Sequence, residues 1–227
     1  VVGSASPDTF IESPSGLATK SKLTKTTDGA VVFDGSGSNS DTDYLSIPSS
    51  SDFAFGTGDF TIEYFLYLNS TPSTVSVPFD MRPLNTNGAY PQMSVDSTLT
   101  LKYYTDTNYR ITGTTGGISL KKWVHIALSR SGTSTKMFVD GIQTGNTYSD
   151  SINYLQSGFT ISSNQYSASQ WGIPGFISNF RVIKGTALYT SNFTPKRQPL
   201  LPESAPNTVL LTCQKGTIRD RSSSAHA

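Results

Sequence analysis

Between Phe60 and Leu68 the side chains alternate without a break. Phe60, Ile62, Tyr64, Leu66 and Leu68 fall on one side of the chain; Thr61, Glu63, Phe65 and Tyr67 fall on the other. A period of two belongs to a β-strand and to no helix. The first set is core. The second begins polar and ends aromatic, which predicts a face that is concave and partly covered. The same period returns in Trp123–Arg130, where Val124, Ile126 and Leu128 oppose Trp123, His125, Ala127 and Ser129. No stretch sustains a helical period, and Thr186–Tyr189 is predicted as one helical turn at most.

Shorter strands are predicted at Ala30–Phe33, Tyr44–Ile47 (ended by Pro48), Val75–Phe79, Gln92–Val95, Leu99–Tyr104 and Arg110–Thr112. Others follow at Lys136–Val139, Phe159–Ile161, Phe176–Ile183 and Val209–Leu211, and Asp140-Gly141 is a two-residue hairpin signal. Many short strands with polar turns point to an all-β fold, a two-sheet antiparallel β-sandwich of jelly-roll type. Its 227 residues suit one such unit. The expected organisation is an N-terminal arm or linker over 1–29, the sandwich over 30–213 and a polar C-terminal segment over 214–227. Pro195, Pro199, Pro202 and Pro206 mark an extended connector before the last strand. Starting at Val1 instead of Met, the chain is expected to be a processed product or a piece of something longer.

Charged residues are only 15% of the chain, so Ser, Thr, Asn and Gly carry its solubility. The formal net charge is +1, and Lys20, Lys22 and Lys25 are dispersed among Ser and Thr. With no basic block to release counterions, no nucleic-acid partner is expected. No apolar run reaches membrane-spanning length, so no membrane insertion is expected. Cys213, the single cysteine, sits in an apolar run and is expected to act as a small buried hydrophobe.

Glycoside hydrolysis needs two carboxylates across the scissile bond. Only Glu12, Glu63 and Glu203 are glutamates, and Glu63 alone lies on a core strand. His125 is mid-strand and reads as a packed sheet residue, and His226 lies in the polar tail. One Cys and two distant His cannot close a zinc site. No enzymatic role is expected. Asp34, Asn39, Asp41 and Asp43 share a Gly- and Ser-rich loop whose oxygens suit calcium, although any turn has that composition.

Sugar binding needs exposed aromatic faces beside amides and carboxylates. The loop carrying Asn164, Tyr166, Gln170 and Trp171 has that composition, and Tyr103, Tyr104, Asn108 and Tyr109 form a second cluster. Asn146 to Tyr154 forms a third. An aromatic in a polar loop serves equally as an edge cap or a contact with a sister subunit.

Six segments in order resemble the laminin-G-like branch of the concanavalin A-like lectin/glucanase superfamily. They are Val32-Phe33-Asp34-Gly35, Tyr44-Leu45-Ser46-Ile47-Pro48, Asp59-Phe60-Thr61-Ile62-Glu63, Trp123-Val124-His125-Ile126-Ala127, Phe138-Val139-Asp140-Gly141 and Gly175-Phe176-Ile177-Ser178-Asn179-Phe180-Arg181. The resemblance covers roughly residues 28–213. It implies a jelly roll and slightly favours calcium, but carries no activity. Lys184–Tyr189 with Phe193-Thr194-Pro195 is similar to a variant of marine phage and bacterial surface proteins. The implied role is a non-catalytic virion surface or structural module that binds glycan or a host surface. The alternative is a capsid or tail decoration protein held by neighbouring virion subunits in an oligomer, and a weaker one is a glycan-cleaving enzyme. The implied location is the virion surface, or else an extracellular or cell surface. Ile218-Arg219-Asp220 and Ser222 to Ala227 read as the entry to a strand that is missing.

Overall fold

The computed structural model describes residues 7–8, 29–35, 43–167, 170–196, 199–214 and 218–226, with Pro7, Asp8 and Glu203 described by backbone alone. Fourteen strands run in chain order: β1 Pro7–Asp8, β2 Ala30–Phe33, β3 Leu45–Ser50, β4 Phe60–Leu68, β5 Val75–Asp80, β6 Gln92–Asp96 and β7 Leu101–Thr105, then β8 Asn108–Thr112, β9 Trp123–Ser131, β10 Ser134–Val139, β11 Ile142–Ser149, β12 Ser157–Ile161, β13 Gly175–Lys184 and β14 Thr208–Thr212. They form two antiparallel sheets. One has the order β1-β2-β13-β4-β9-β10-β11, with β14 also paired to β13; the other has the order β3-β12-β5-β6-β7-β8. This is the predicted β-sandwich.

The core lies between the sheets. Phe60, Ile62, Tyr64, Leu66 and Leu68 of β4 all enter it. Tyr64 stacks on Phe180 at 5.4 Å, and Phe180 meets Phe79 of the opposite sheet edge-on at 5.8 Å. Cys213 is buried, and that burial pushes its thiol up to about 12. It is the small hydrophobe expected.

Three expectations are corrected. Strand β3 does not stop at Pro48 but runs to Ser50. It is the edge of its sheet, where a residue without an N–H is tolerated. Thr186–Tyr189 is not helical; it belongs to a strap, residues 185–196 and 199–204, that lies against the outer face of the eight-stranded sheet. The C-terminal segment is not an unfinished strand. Asp220 accepts hydrogen bonds from the backbone of Leu211, Ser222 and His226, and Arg221 N–H donates to Leu211 O. The tail is thereby tied to β14, and the His226 ring packs 4.8 Å from Phe53.

The strap is held by a buried ionic cluster on the second face of β4. Arg181 of β13 donates to Glu63 Oε1 through Nε, at 2.8 Å, and through Nη2. His125 Nε2 lies 3.0 Å from Glu63 Oε2, and the Tyr189 hydroxyl donates to the same oxygen at 2.8 Å. Arg181 Nη1 reaches the far end of the strap at Leu201 O and Ser204 Oγ. Tyr189 stacks on Phe193 at 3.6 Å, which covers His125 and Phe138. Burial alone would raise the Glu63 carboxyl; the His125 hydrogen bond, the Arg181 charge and the Tyr189 hydroxyl outweigh it and hold the group at about 2.

That depression makes stability depend on acid. The unfolded carboxyl titrates near 4.5, so the cluster's stabilisation is complete above that pH and drains away as pH falls toward about 2. Glu63→Gln leaves Arg181 buried without its counter-charge and is expected to cost about 3–5 kcal/mol at neutral pH. Its unfolding free energy should change less between about pH 5 and pH 2.5 than that of the wild type. Urea titrations at both pH values check this; equal acid sensitivity of the two proteins would refute the assignment.

Candidate functional site

The strap covers the eight-stranded sheet, whereas the outer face of the six-stranded sheet carries a cleft of about 290 Å³. A β-bulge builds its floor. The β5–β6 register shifts between Ser76 and Phe79, around Pro78. A shift by one residue changes faces. Val75 and Val77 therefore line the cleft, while Phe79 and Met81 join the core. Gln92 of β6, Tyr104 of β7 and Tyr109 of β8 complete the floor.

The wall is the loop after β12. The Val77 N–H donates to Trp171 O at 2.7 Å, so the loop continues the sheet where the bulge interrupts it. Trp171 adopts a φ of 62°, a left-handed conformation that redirects the chain beside the cleft. Asn164 N–H donates to Gln170 O at 2.7 Å and closes the loop's neck.

Arg82 sits at the centre and is almost fully buried. Its Nε and Nη2 donate to Asp80 Oδ1 and Oδ2 at 3.0 and 2.8 Å, a two-pronged pair. Nη1 donates to Asn87 Oδ1 at 3.0 Å, and Nη2 lies 3.5 Å from Asn164 Oδ1. The guanidinium lies 4.9 Å from the Tyr104 ring centroid and 5.0 Å from that of Tyr166. Such cation–π contacts fix both rings. Tyr104 also meets Tyr109 edge-on at 5.3 Å, and its hydroxyl donates to Asn87 Oδ1 at 3.3 Å. The result is a rigid concavity of aromatic faces, amides and hydroxyls.

Five of the residues expected to bind glycan meet here: Trp171, Tyr166, Asn164, Tyr104 and Tyr109. Gln170 is outside the lining and acts through its carbonyl at the loop's neck. Tyr103 is corrected: it points into the core, fully buried, with its hydroxyl 2.5 Å from that of Tyr154. Leu101 and Tyr103 face inward, so Lys102 and Tyr104 face outward, as a period of two demands. The cluster expected over Asn146–Tyr154 is not a loop at the cleft either: its first part is β11, and Tyr154 is buried with its hydroxyl on Asp150. Of the calcium loop, Asn39 and Asp41 lie outside the described residues, and Asp34 and Asp43 lie within them. Among the described residues no group of three or more His, Cys, Asp or Glu could hold a metal. Sequence reasoning missed Arg82, Asp80, Asn87 and Gln92. Asp80-Met81-Arg82 was a usable signal, because opposite charges two apart on a strand share a face.

A family model, Laminin_G_3, described as the concanavalin A-like lectin/glucanases superfamily, matches residues 37–188. No curated protein matches the chain. A Bacteroides ovatus protein provisionally described as carbohydrate binding is similar in structure, with a TM-score of 0.57 and 15% identity over 81% of this chain and 54% of its own. A Trypanosoma rangeli sialidase is similar with a TM-score of 0.50 and 14% identity over 78% of this chain and 29% of its own. The chain thus spans about half of the first protein and under a third of the second. At such identities these likenesses show the fold.

The Arg82 pair makes its own prediction. Arg82→Lys supplies a point charge that cannot bridge both Asp80 oxygens or stack between two rings. It is expected to destabilise the fold by about 2–3 kcal/mol, below the figure of about 3–5 kcal/mol for breaking a buried pair outright, because the positive charge is kept. Near-ultraviolet circular dichroism should also lose the signal of the ordered tyrosines. An unchanged spectrum and melting temperature would show that Arg82 does not order the cleft.

Proposed function

The chain belongs to the Laminin_G_3 family of the concanavalin A-like lectin/glucanase superfamily, and on that premise we propose that it is a non-catalytic carbohydrate-binding module. The observation that carries this reading is the convergence of two strands and a loop far from them in sequence. Tyr104 and Tyr109 meet Asn164, Tyr166 and Trp171 around one ordered arginine. Aromatic faces stack on the apolar face of a sugar ring, while neighbouring amides and hydroxyls bond its rim. The structural likeness to a protein provisionally described as carbohydrate binding fits that reading.

Three features support a binding role without catalysis. No side chain among the described residues lining the cleft is a carboxylate. Asp80 lies beneath it with both oxygens on Arg82, in no position to move a proton to a glycosidic oxygen. Glu63 is on the other sheet, under the strap. The resemblance of Lys184–Tyr189 and Phe193–Pro195 to marine phage and bacterial surface proteins supports a place on a virion surface, with a host glycan as partner. A decoration role among neighbouring subunits is the second reading, favoured by Ile142, which is 58% exposed on edge strand β11.

A glycan array tests the binding reading. Trp171→Ala and Tyr166→Ala should each weaken binding about tenfold, the loss of one stacked ring, with melting temperature nearly unchanged. Binding to no glycan would sink it, and release of reducing sugar from a bound glycan would overturn the non-catalytic assignment.

A further inference from the structure

Resting on the glycan-binding reading, we propose that this cleft takes neutral, hydroxyl-bearing sugars and rejects glycans that carry carboxylate or sulfate. The observation is that Arg82, the one cation among the described lining residues, already holds its own carboxylate, as does Lys102 beside the Tyr109 ring. Arg82 is bridged by Asp80 at 2.8 Å and Lys102 by Asp96 at 2.8 Å. Lys102 also lies 5.3 Å from the Tyr109 ring and is spent on that face.

The pair at the centre decides the matter. An acidic sugar must shed water from its charge on entering, and neutral donors repay that cost less well than an uncompensated cation does. Arg82 offers no net charge, because Asp80 is fully buried directly behind it. Its Nε, Nη1 and Nη2 groups are engaged by Asp80, Asn87 and Asn164. A second carboxylate at the mouth would meet the field of Asp80 as well as that of Arg82. Asp96 stays ionised: burial would raise it, but Lys102, the Thr98 hydroxyl and the backbone of Thr98 and Thr100 hold it below the usual carboxylate range.

What remains at the lining is neutral. Gln92, Ser167 and the tyrosine hydroxyls both donate and accept, and so do sugar hydroxyls. The Oδ1 atoms of Asn87 and Asn164 are turned to Arg82, which leaves their amide N–H groups for a ligand. Arg82 is therefore a positioning residue, the bar between Tyr104 and Tyr166, and not an anion hook.

Calorimetry with the full wild-type chain tests this, using a neutral glucan, a neutral galactan, a polyuronate, a sulfated galactan and a sialylated oligosaccharide. A neutral glycan should bind at least about tenfold more tightly than any acidic one, and its Kd should change by less than about twofold between about 50 and 500 mM NaCl. Tighter binding of an acidic glycan, weakening steeply with salt, would overturn the selectivity and leave the glycan-binding reading intact. Binding of none would overturn both. Asp80→Asn frees the Arg82 charge and should gain acidic-glycan binding about tenfold. A folded D80N protein with no such gain would overturn the compensation argument, and the wild-type panel decides alone if the variant does not fold.

Discussion

The Glu63–Arg181 pair determines which face of this sandwich is available. A carboxylate in the middle of a buried strand costs several kcal/mol unless it is fully satisfied. Here the satisfying groups come from four places: Arg181 on β13, His125 on β9, Tyr189 near the start of the strap and, through Arg181, Ser204 near its end. Satisfying Glu63 therefore requires the strap to lie across the sheet. Once it does, Tyr189 and Phe193 bury the aromatic half of that face.

The two sheets are thus unequal by construction. The eight-stranded sheet spends its outer face on its own chain. Among the described residues no strap crosses the six-stranded sheet, and its outer face carries the cleft that Val75, Val77, Gln92 and Tyr104 line. Position follows from this asymmetry, since a ligand can approach an aromatic floor only where no chain segment has claimed it. A second cleft of about 340 Å³, larger than the first, lies at the strap's margin among Phe65, Trp123, Asp140, Ile142 and Phe193, but there the Tyr189–Phe193 stack already covers His125 and Phe138.

What could be read from the sequence follows physical rules. Phe60–Leu68 was legible because a strand buried on one face must alternate, and its second face announced a cover by ending aromatic. Strand β11 was not, because Gln143, Thr144, Gly145 and Asn146 form an edge strand with little to bury and no pattern to show. Trp171, Tyr166 and Asn164 were visible as aromatic and amide groups in a polar loop. That they share a cleft with Tyr104 was not, since the meeting of residues 82, 104 and 166 is set by strand order. Tyr103 was a legible error: Leu101 fixes the inward parity of β7, and Tyr103 shares it. The tail failed differently, since a lone Asp220 gives no sign that it will accept three backbone N–H groups.

The cleft is braced in the same way that the strap is. Each places an arginine against a carboxylate inside the protein and uses the remaining donors to fasten distant segments. Arg181 fastens the strap, and Arg82 fastens the Asn87 turn and the Asn164 loop. An arginine used this way is worth more as a brace than as a charge, because its planar fork fixes direction while its counter-ion removes its field. Pre-ordering the tyrosines lowers the entropy that a ligand must overcome, since Tyr104 and Tyr166 need not be immobilised on binding. The bulge at Pro78 sets the register from which all of this follows. Without it Val77 and Phe79 would share a face, Asp80 and Arg82 would turn toward the core, and the outer face would have no brace.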